Sequence, residues 1–177
     1  MKLDRERAVL VVIDVQEAFR KALPGFDQVA GASATLVRGA AEIGIPVLVT
    51  EQYPRGLGAT VPELAEHLPA GTETLEKVRF SAAEAEGFDL GERDQALVCG
   101  IETHVCVSQT VLDLIDEDVE VHVAADAVGS RTDANRDLGL AKMERSGAIL
   151  TSVEMALFEL LGGADAEGFK QVQALVL

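Results

Sequence analysis

Three residues far apart in this sequence have the types that a nucleophilic displacement needs: the carboxylate Asp14, the ammonium Lys77 and the thiol Cys106. A carboxylate can accept a thiol proton, an ammonium can hold the resulting charges in place, and the thiolate can attack a carbonyl carbon. The residues around Cys106 suit that role. The apolar run Ala96 to Cys99 breaks at Gly100 and leads through Ile101-Glu102-Thr103-His104-Val105 to Cys106, after which Val107, Val111 and Leu114 recur at helical spacing. Strand, tight turn and helix are expected in that order, with Thr103 as N-cap and Cys106 in the first helical turn. There, unpaired backbone N–H groups and the positive end of the helix dipole are expected to lower the thiol pKa and to receive an oxyanion. The competing reading is a free cysteine acting as a small buried hydrophobe, the role expected of Cys99 inside the apolar run.

The elements that would position these groups follow from the apolar pattern. Ala8 to Val15 is a continuous apolar run with a carboxylate, Asp14, near its end, as in a strand covered on both faces of a parallel sheet. An isolated carboxylate is costly to bury there unless it is paired or used; capping a neighbouring loop is the structural alternative. A helix is expected from Phe26 to Ile43, closed by Gly44, then a second strand at Ile45 to Thr50. The Gly- and Pro-punctuated loop Glu51 to Gly58 follows, then a short helix at Leu64 to Leu68 and a third strand at Thr72 to Val78. Lys77 ends that strand, where a solvated charge is the ordinary alternative. Phe80 to Asp94 is irregular. A fifth strand at Val119 to Ala124, a loop at Asp126 to Arg131, a helix at Asp133 to Ser146 and a short sixth strand at Ala148 to Thr151 complete the sheet. Helices are expected at Val153 to Leu161 and Ala166 to Leu175.

Alternating strands and helices without repeat or linker predict one α/β domain over residues 1–177, a three-layer α-β-α sandwich around a mainly parallel, roughly six-stranded, doubly wound sheet. Such sheets bind ligands at the carboxyl ends of their strands, beside the point where strand order reverses. Asp14, Glu51, Lys77 and Cys106 all fall at or just beyond predicted strand ends.

The size and the 48% hydrophobic content allow a sizeable core. Fifteen basic against thirty acidic residues give a net charge of −15, which argues against nucleic acid and anionic membranes as partners. Two cysteines outside any C-x-x-C pair, and a charged Met1 to Arg7 without an apolar leader or cleavage site, predict a reducing, cytoplasmic setting. No apolar run approaches the ~18 residues of a membrane span.

Taken together, Val12-Ile13-Asp14-Val15-Gln16, Lys77-Val78-Arg79-Phe80-Ser81-Ala82 and Gly100 to Val107 resemble the isochorismatase-like cysteine hydrolases. The likeness is greatest to the small isochorismatase domain-containing proteins and the YcaC-type hydrolases. Their Thr-Glu-Gln-x-Pro-x-Gly-Leu-Gly loop stands here as Thr50 to Gly58, and Ala124 to Arg131 also looks like theirs. The resemblance implies Asp14 as base, Lys77 as electrostatic partner and Cys106 as nucleophile. It also implies a cis peptide at Ile101-Glu102, with the Glu102 and Cys106 N–H groups as oxyanion hole, and assembly into dimers or larger homo-oligomers. The Asp-x-His metal site of nicotinamidases has no counterpart in Glu51-Gln52-Tyr53-Pro54, so no metal and no cofactor is expected. True isochorismatases cleave an enol ether without a thiol, so Cys106 points instead to C–N cleavage.

Gln52, Tyr53, Arg79 and Ile101 are the candidates for contacting a small-molecule substrate, and Arg55 and Arg79 could meet an anionic group. Asp126 and Arg131 are expected to brace their loop. His104 is expected beside rather than in the site, and His67 and His122 to be ordinary. The apolar stretch Met155 to Phe158 suggests a subunit contact. The expected activity is hydrolysis of a small amide, ureido or related C–N bond through an acyl-enzyme. The alternatives are a redox-responsive binding protein using a low-pKa Cys106 and a catalytically silent oligomer.

Overall fold

The computed structural model describes residues 1–177. Its centre is Ala8–Ile13 (β1), whose six side chains are all buried. Each fully buried Val, Leu or Ile contributes roughly 1.5–3 kcal/mol, and the pleat sends alternate side chains to opposite faces. Leu10 and Val12 join one core, while Val9, Val11 and Ile13 join another.

The first core is closed by Phe26–Ile43 (α1), which runs between Gly25 and Gly44 as its pattern predicts. Gly44 takes φ 82°, a left-handed closing conformation that costs glycine least, and its N–H reaches the Ala40 carbonyl. Val47–Gln52 (β2), Pro54–Leu57 (α2), Pro62–Ala65 (α3) and Thr74–Lys77 (β3) follow. Gln95–Ile101 (β4), Ser108–Asp116 (α4), Glu120–Gly129 (β5) and Asp133–Arg145 (α5) form the other half, with Ile149–Thr151 (β6), Val153–Leu161 (α6) and Phe169–Val176 (α7) after them.

The six strands are all parallel and lie in the order β3-β2-β1-β4-β5-β6. Helices α1, α6 and α7 supply Leu36, Val37, Leu157 and Val172 to one core; α4 and α5 supply Val111, Leu114, Leu140 and Met143 to the other. The sandwich is therefore three layers deep and doubly wound. Strand order reverses between β1 and β4, and the crevice beyond their carboxyl ends is where such a sheet opens to ligands.

Several boundaries differ from the sequence expectation. β1 ends at Ile13, because Asp14 turns into the left-handed region at φ 53°. β5 continues to Gly129, ten residues in all, where a loop was expected from Asp126. Its pairing with β4 jumps from Val98↔Val123 to Gly100↔Val128, so the extra residues are absorbed in an irregularity opposite Cys99. Arg136 of α5 donates to the Ala125 and Val128 carbonyls there, and Asp126 accepts the Val153 N–H at 2.9 Å, bracing the start of α6. The Met155 to Phe158 stretch is not a bare surface. Ala156 and Leu157 are fully buried, and Leu157 packs so tightly on α1 that a Cβ at Gly39 would lie 2.3 Å from its Cδ2.

Candidate active site

Asp14 follows β1, Lys77 ends β3, and Cys106 lies in a turn after β4, so three strand ends deliver them to the crevice where strand order reverses. Asp14 is completely buried. Its Oδ2 accepts from Lys77 Nζ at 2.7 Å and its Oδ1 from the Thr50 hydroxyl at 2.8 Å. The Lys77 ammonium also donates to Gln52 Oε1 at 2.8 Å, to the Phe80 carbonyl at 2.8 Å and to the Arg79 carbonyl at 3.3 Å. A buried ammonium is tolerated only with such a full set of acceptors.

The turn after β4 departs from the expected helix start. Glu102 is the cap, Thr103–Val107 forms a π-helical turn, and the regular helix begins at Ser108. Thr103 makes no capping bond; its hydroxyl is buried without a partner. The wider π turn lets the Glu102 carbonyl accept from Val105 and Val107 N–H at 3.0 and 3.2 Å. The Ile101-Glu102 peptide is cis. Gly100, at φ 121°, lies so close to β1 that a Cβ would meet the Ile13 carbonyl oxygen at 2.0 Å.

The thiol pKa runs opposite to the sequence expectation. Burial pushes Cys106 up to about 12; the adjacent Asp14 carboxylate adds to this, and Lys77 counters both. The local dipole argument fails because desolvation and a neighbouring negative charge outweigh it. Cys106 in the resting protein is thus a thiol beside a carboxylate. Cys99 is raised to about 12 by burial alone, tempered by Ser33, as suits a core cysteine.

A cavity of about 490 Å³ opens onto Cys106, with walls from Phe19, Leu57, Phe80 and Val105, and with Gln52, Glu102 and Arg131 as its other polar side chains. Of the expected substrate contacts, only Gln52 lines it. Ile101 is fully buried beneath the site; Tyr53 faces a neighbouring surface hollow with Arg55. Arg79 turns to the surface, where it pairs with Glu84 at 2.9 Å, because its carbonyl rather than its side chain faces Lys77. Glu51 is spent on Thr60, accepting from its N–H at 2.6 Å and its hydroxyl at 2.8 Å.

Two residues act differently from the sequence reading or were absent from it. Arg131 does not merely brace a loop: its N–H and Nε both donate to Glu102 Oε1 at 3.0 Å, and it lines the cavity. Gln16, fully buried, donates to the Gln52 carbonyl at 3.0 Å and the Gly58 carbonyl at 2.7 Å and accepts the Gln52 N–H at 2.8 Å. In the sequence it stands only as the last residue of the Val12–Gln16 motif, a polar side chain directly after the apolar run. His104 Nδ1 lies 3.0 Å from the Ser130 hydroxyl, beside the site, and His122 Nε2 lies 2.9 Å from Glu120. No group of three or more His, Cys, Asp or Glu side chains is arranged to hold a metal ion, and no helix is long and apolar enough to cross a membrane.

The doubly wound parallel sheet, with its crevice beyond the carboxyl ends of β1 and β4, places the chain among the α/β proteins. The chain belongs to the isochorismatase family: the family model described as "Isochorismatase domain" matches residues 8–155. It is 40% identical over 177 residues to isochorismatase domain-containing protein 2 of Xenopus laevis, covering 99% of this chain and 86% of that one. Among solved structures it is similar to that of a protein named MAR1 ribonuclease from Caenorhabditis elegans, with TM-score 0.93, 38% identity, and coverage of 99% of this chain and 92% of that one. It is also similar to YcaC from Pseudomonas aeruginosa, solved with hexane-2,5-diol and covalent acrylamide, with TM-score 0.87, 26% identity, and the same coverages of 99% and 92%.

Proposed function

We propose that the chain, acting as one domain, is a cysteine-nucleophile hydrolase that cleaves a small amide, ureido or related C–N bond through a covalent acyl-enzyme. The observation that carries this reading is the buried Asp14–Lys77 pair, joined at 2.7 Å, whose charges both act on a thiol that lines a cavity. Lys77 and Thr50 both donate to Asp14 and fix its carboxyl group at the site. Asp14 takes the Cys106 proton as the Sγ–C bond forms, and the negative charge moves to the substrate oxygen. The N–H groups of Glu102 and Cys106, in the turn after β4, receive that oxyanion. As the oxyanion collapses, the C–N bond breaks and Asp14 returns its proton to the departing amine. Water then attacks the thioester, giving a proton to Asp14, and the acid leaves as that proton returns to Cys106. Lys77, 2.7 Å from Asp14, spares it from being an unpaired buried charge. Every step uses this chain's own groups, so the reading calls for no metal and no cofactor.

The covalent acrylamide in the Pseudomonas aeruginosa YcaC structure supports a reactive nucleophile on a related fold, since acrylamide bonds covalently by accepting a nucleophile at its vinyl carbon with its amide intact. The cavity, whose volume suits a small molecule and whose walls are mostly apolar, also supports the reading. Two free cysteines accord with a reducing, cytoplasmic setting. The exposed apolar side chains Tyr53, Val78 and Phe80 accord with self-association.

A panel of small amides and ureido compounds tests the proposal. Cys106→Ala and Asp14→Asn are expected to abolish turnover while the circular dichroism spectrum of Cys106→Ala stays that of the wild type; full activity in Cys106→Ala would refute it. The ribonuclease name of the similar Caenorhabditis elegans protein adds an RNA arm to the panel. A net charge of −15 repels polyphosphate, and Arg131 is the only cation lining the cavity, so no RNA cleavage is expected. RNA cleavage that vanishes in Cys106→Ala would replace the amide reading.

A further inference from the structure

Lys77 and Cys106 come from separate strands, and one buried hydroxyl links the segments that hold them. Thr110 lies one helical turn after Cys106. Its Oγ1 donates to the Cys106 carbonyl at 2.7 Å and accepts the Ala82 N–H at 2.8 Å. Thr110 and Ala82 are both completely buried, so neither bond can be replaced by water. Ala82 lies two residues after Phe80 in the irregular segment whose Phe80 and Arg79 carbonyls accept from Lys77 Nζ. The same segment is tied at its other end by Gln52 Nε2 to the Val78 carbonyl at 2.9 Å, and Phe80 lines the cavity over Cys106.

We propose that Thr110 is a positioning residue of the active site: its hydroxyl sets the placement of the Lys77–Asp14 pair relative to the Cys106 sulfur. The inference rests on the cysteine-nucleophile reading and deepens it. A threonine in a helix commonly returns its hydroxyl to the carbonyl four residues back, with only a local effect. Here the same oxygen also accepts from a distant segment, and that segment carries two of the four acceptors of the ammonium. Without the hydroxyl the Ala82 N–H is left unpaired in a dry interior, which drives the segment to move. The Phe80 and Arg79 carbonyls then shift, and Lys77 and Asp14 with them.

The test follows alkylation of Cys106 by iodoacetamide in the full chain across neutral to alkaline pH, with the adduct located by peptide mass spectrometry and urea melts run in parallel. Thr110→Val keeps the side-chain shape and removes both bonds; Thr110→Ser keeps the hydroxyl. Thr110→Ser is expected to react within about twofold of the wild type. Thr110→Val is expected to react at least about tenfold more slowly near neutrality, with a displaced pH profile, because an ångström of misplacement costs rates of this order or more. Thr110→Ala removes the same bonds and serves if the valine variant does not fold. A hydroxyl-free variant that loses stability but keeps the wild-type rate and pH profile overturns the proposal. Turnover of small amides by Asp14→Asn is assayed beside it: retained turnover there defeats the hydrolase mechanism, while the comparison of valine with serine in alkylation still judges Thr110.

Discussion

Replacing Lys77 with Met keeps the length and apolar stem of the side chain and deletes its charge. Asp14, with no exposed surface, would then retain only the Thr50 hydroxyl of its two side-chain partners, and Gln52 Oε1 and two backbone carbonyls would lose their donor. Removing one member of a buried ion pair costs about 3–5 kcal/mol, because the other charge is left uncompensated. For a chain of this length each kcal/mol moves Tm by about 2–4 °C, so a fall of about 6–20 °C is expected. Asp14→Asn is milder, at about 1–3 kcal/mol, since the ammonium keeps its three other acceptors. The double variant buries no net charge at the site, and its cost should fall short of the sum of the singles by about 2 kcal/mol or more. Urea unfolding followed by far-ultraviolet circular dichroism, with m-values compared to confirm a common unfolding reaction, measures all four proteins. A Lys77→Met cost below about 1 kcal/mol, together with additive single and double variants, would show that the pair does not behave as a desolvated unit and would refute the reasoning.

Alkaline pH provides a second check. Cys99 and Cys106 stay protonated in the folded chain up to about 12, whereas an unfolded thiol ionises near 9.0, so above that value the unfolded chain holds fewer protons. Their effect on stability is nil below pH 9 and grows as pH rises from there toward 12, at about 1.4 kcal/mol per pH unit for each thiol. Cys99→Ala should flatten the decline of unfolding free energy over that range by the share of one thiol; an unchanged slope would overturn the assignment. Gly100→Ala would drive a Cβ to 2.0 Å from the Ile13 carbonyl at a φ of 121°, and should cost about 3 kcal/mol or more in urea unfolding. A near-neutral result would mean that β1 and β4 do not approach so closely.

Much of the fold was legible because its signals are local. Helix α1 begins and ends between two glycines, and the six residues of β1 are apolar without interruption. The misreadings share one cause, which is contact with residues far away in sequence. β5 passes its predicted end because the Arg136 guanidinium satisfies the carbonyls of an irregular stretch, a partnership visible only after α5 packs back. Thr103 has the right type for a helix cap but is buried in a π turn that also has to clear α5: a Cβ at Gly139 would lie 3.0 Å from its carbonyl oxygen. The convergence of Asp14, Lys77 and Cys106 followed from strand ends, but the protonation of the sulfur did not, since helix position carries no information on how dry the site is. Arg79 and Arg131 show the same limit. Equal in type, one turns to Glu84 on the surface and the other to Glu102 on the cavity wall.

Gln16 grips the strand end at Gln52 with both polar atoms of its amide and reaches Gly58 with the same nitrogen, so one side chain staples both ends of the Tyr53–Gly58 excursion. Side chains between those anchors take no part in the Lys77–Gln52 contact beside them, although at Gly56 a Cβ would lie 2.6 Å from the Tyr53 ring. Variation among descendants of this scaffold, or libraries built on it, can therefore concentrate at Pro54, Arg55 and Leu57, where Leu57 already forms part of the cavity wall, and leave the reacting groups in register.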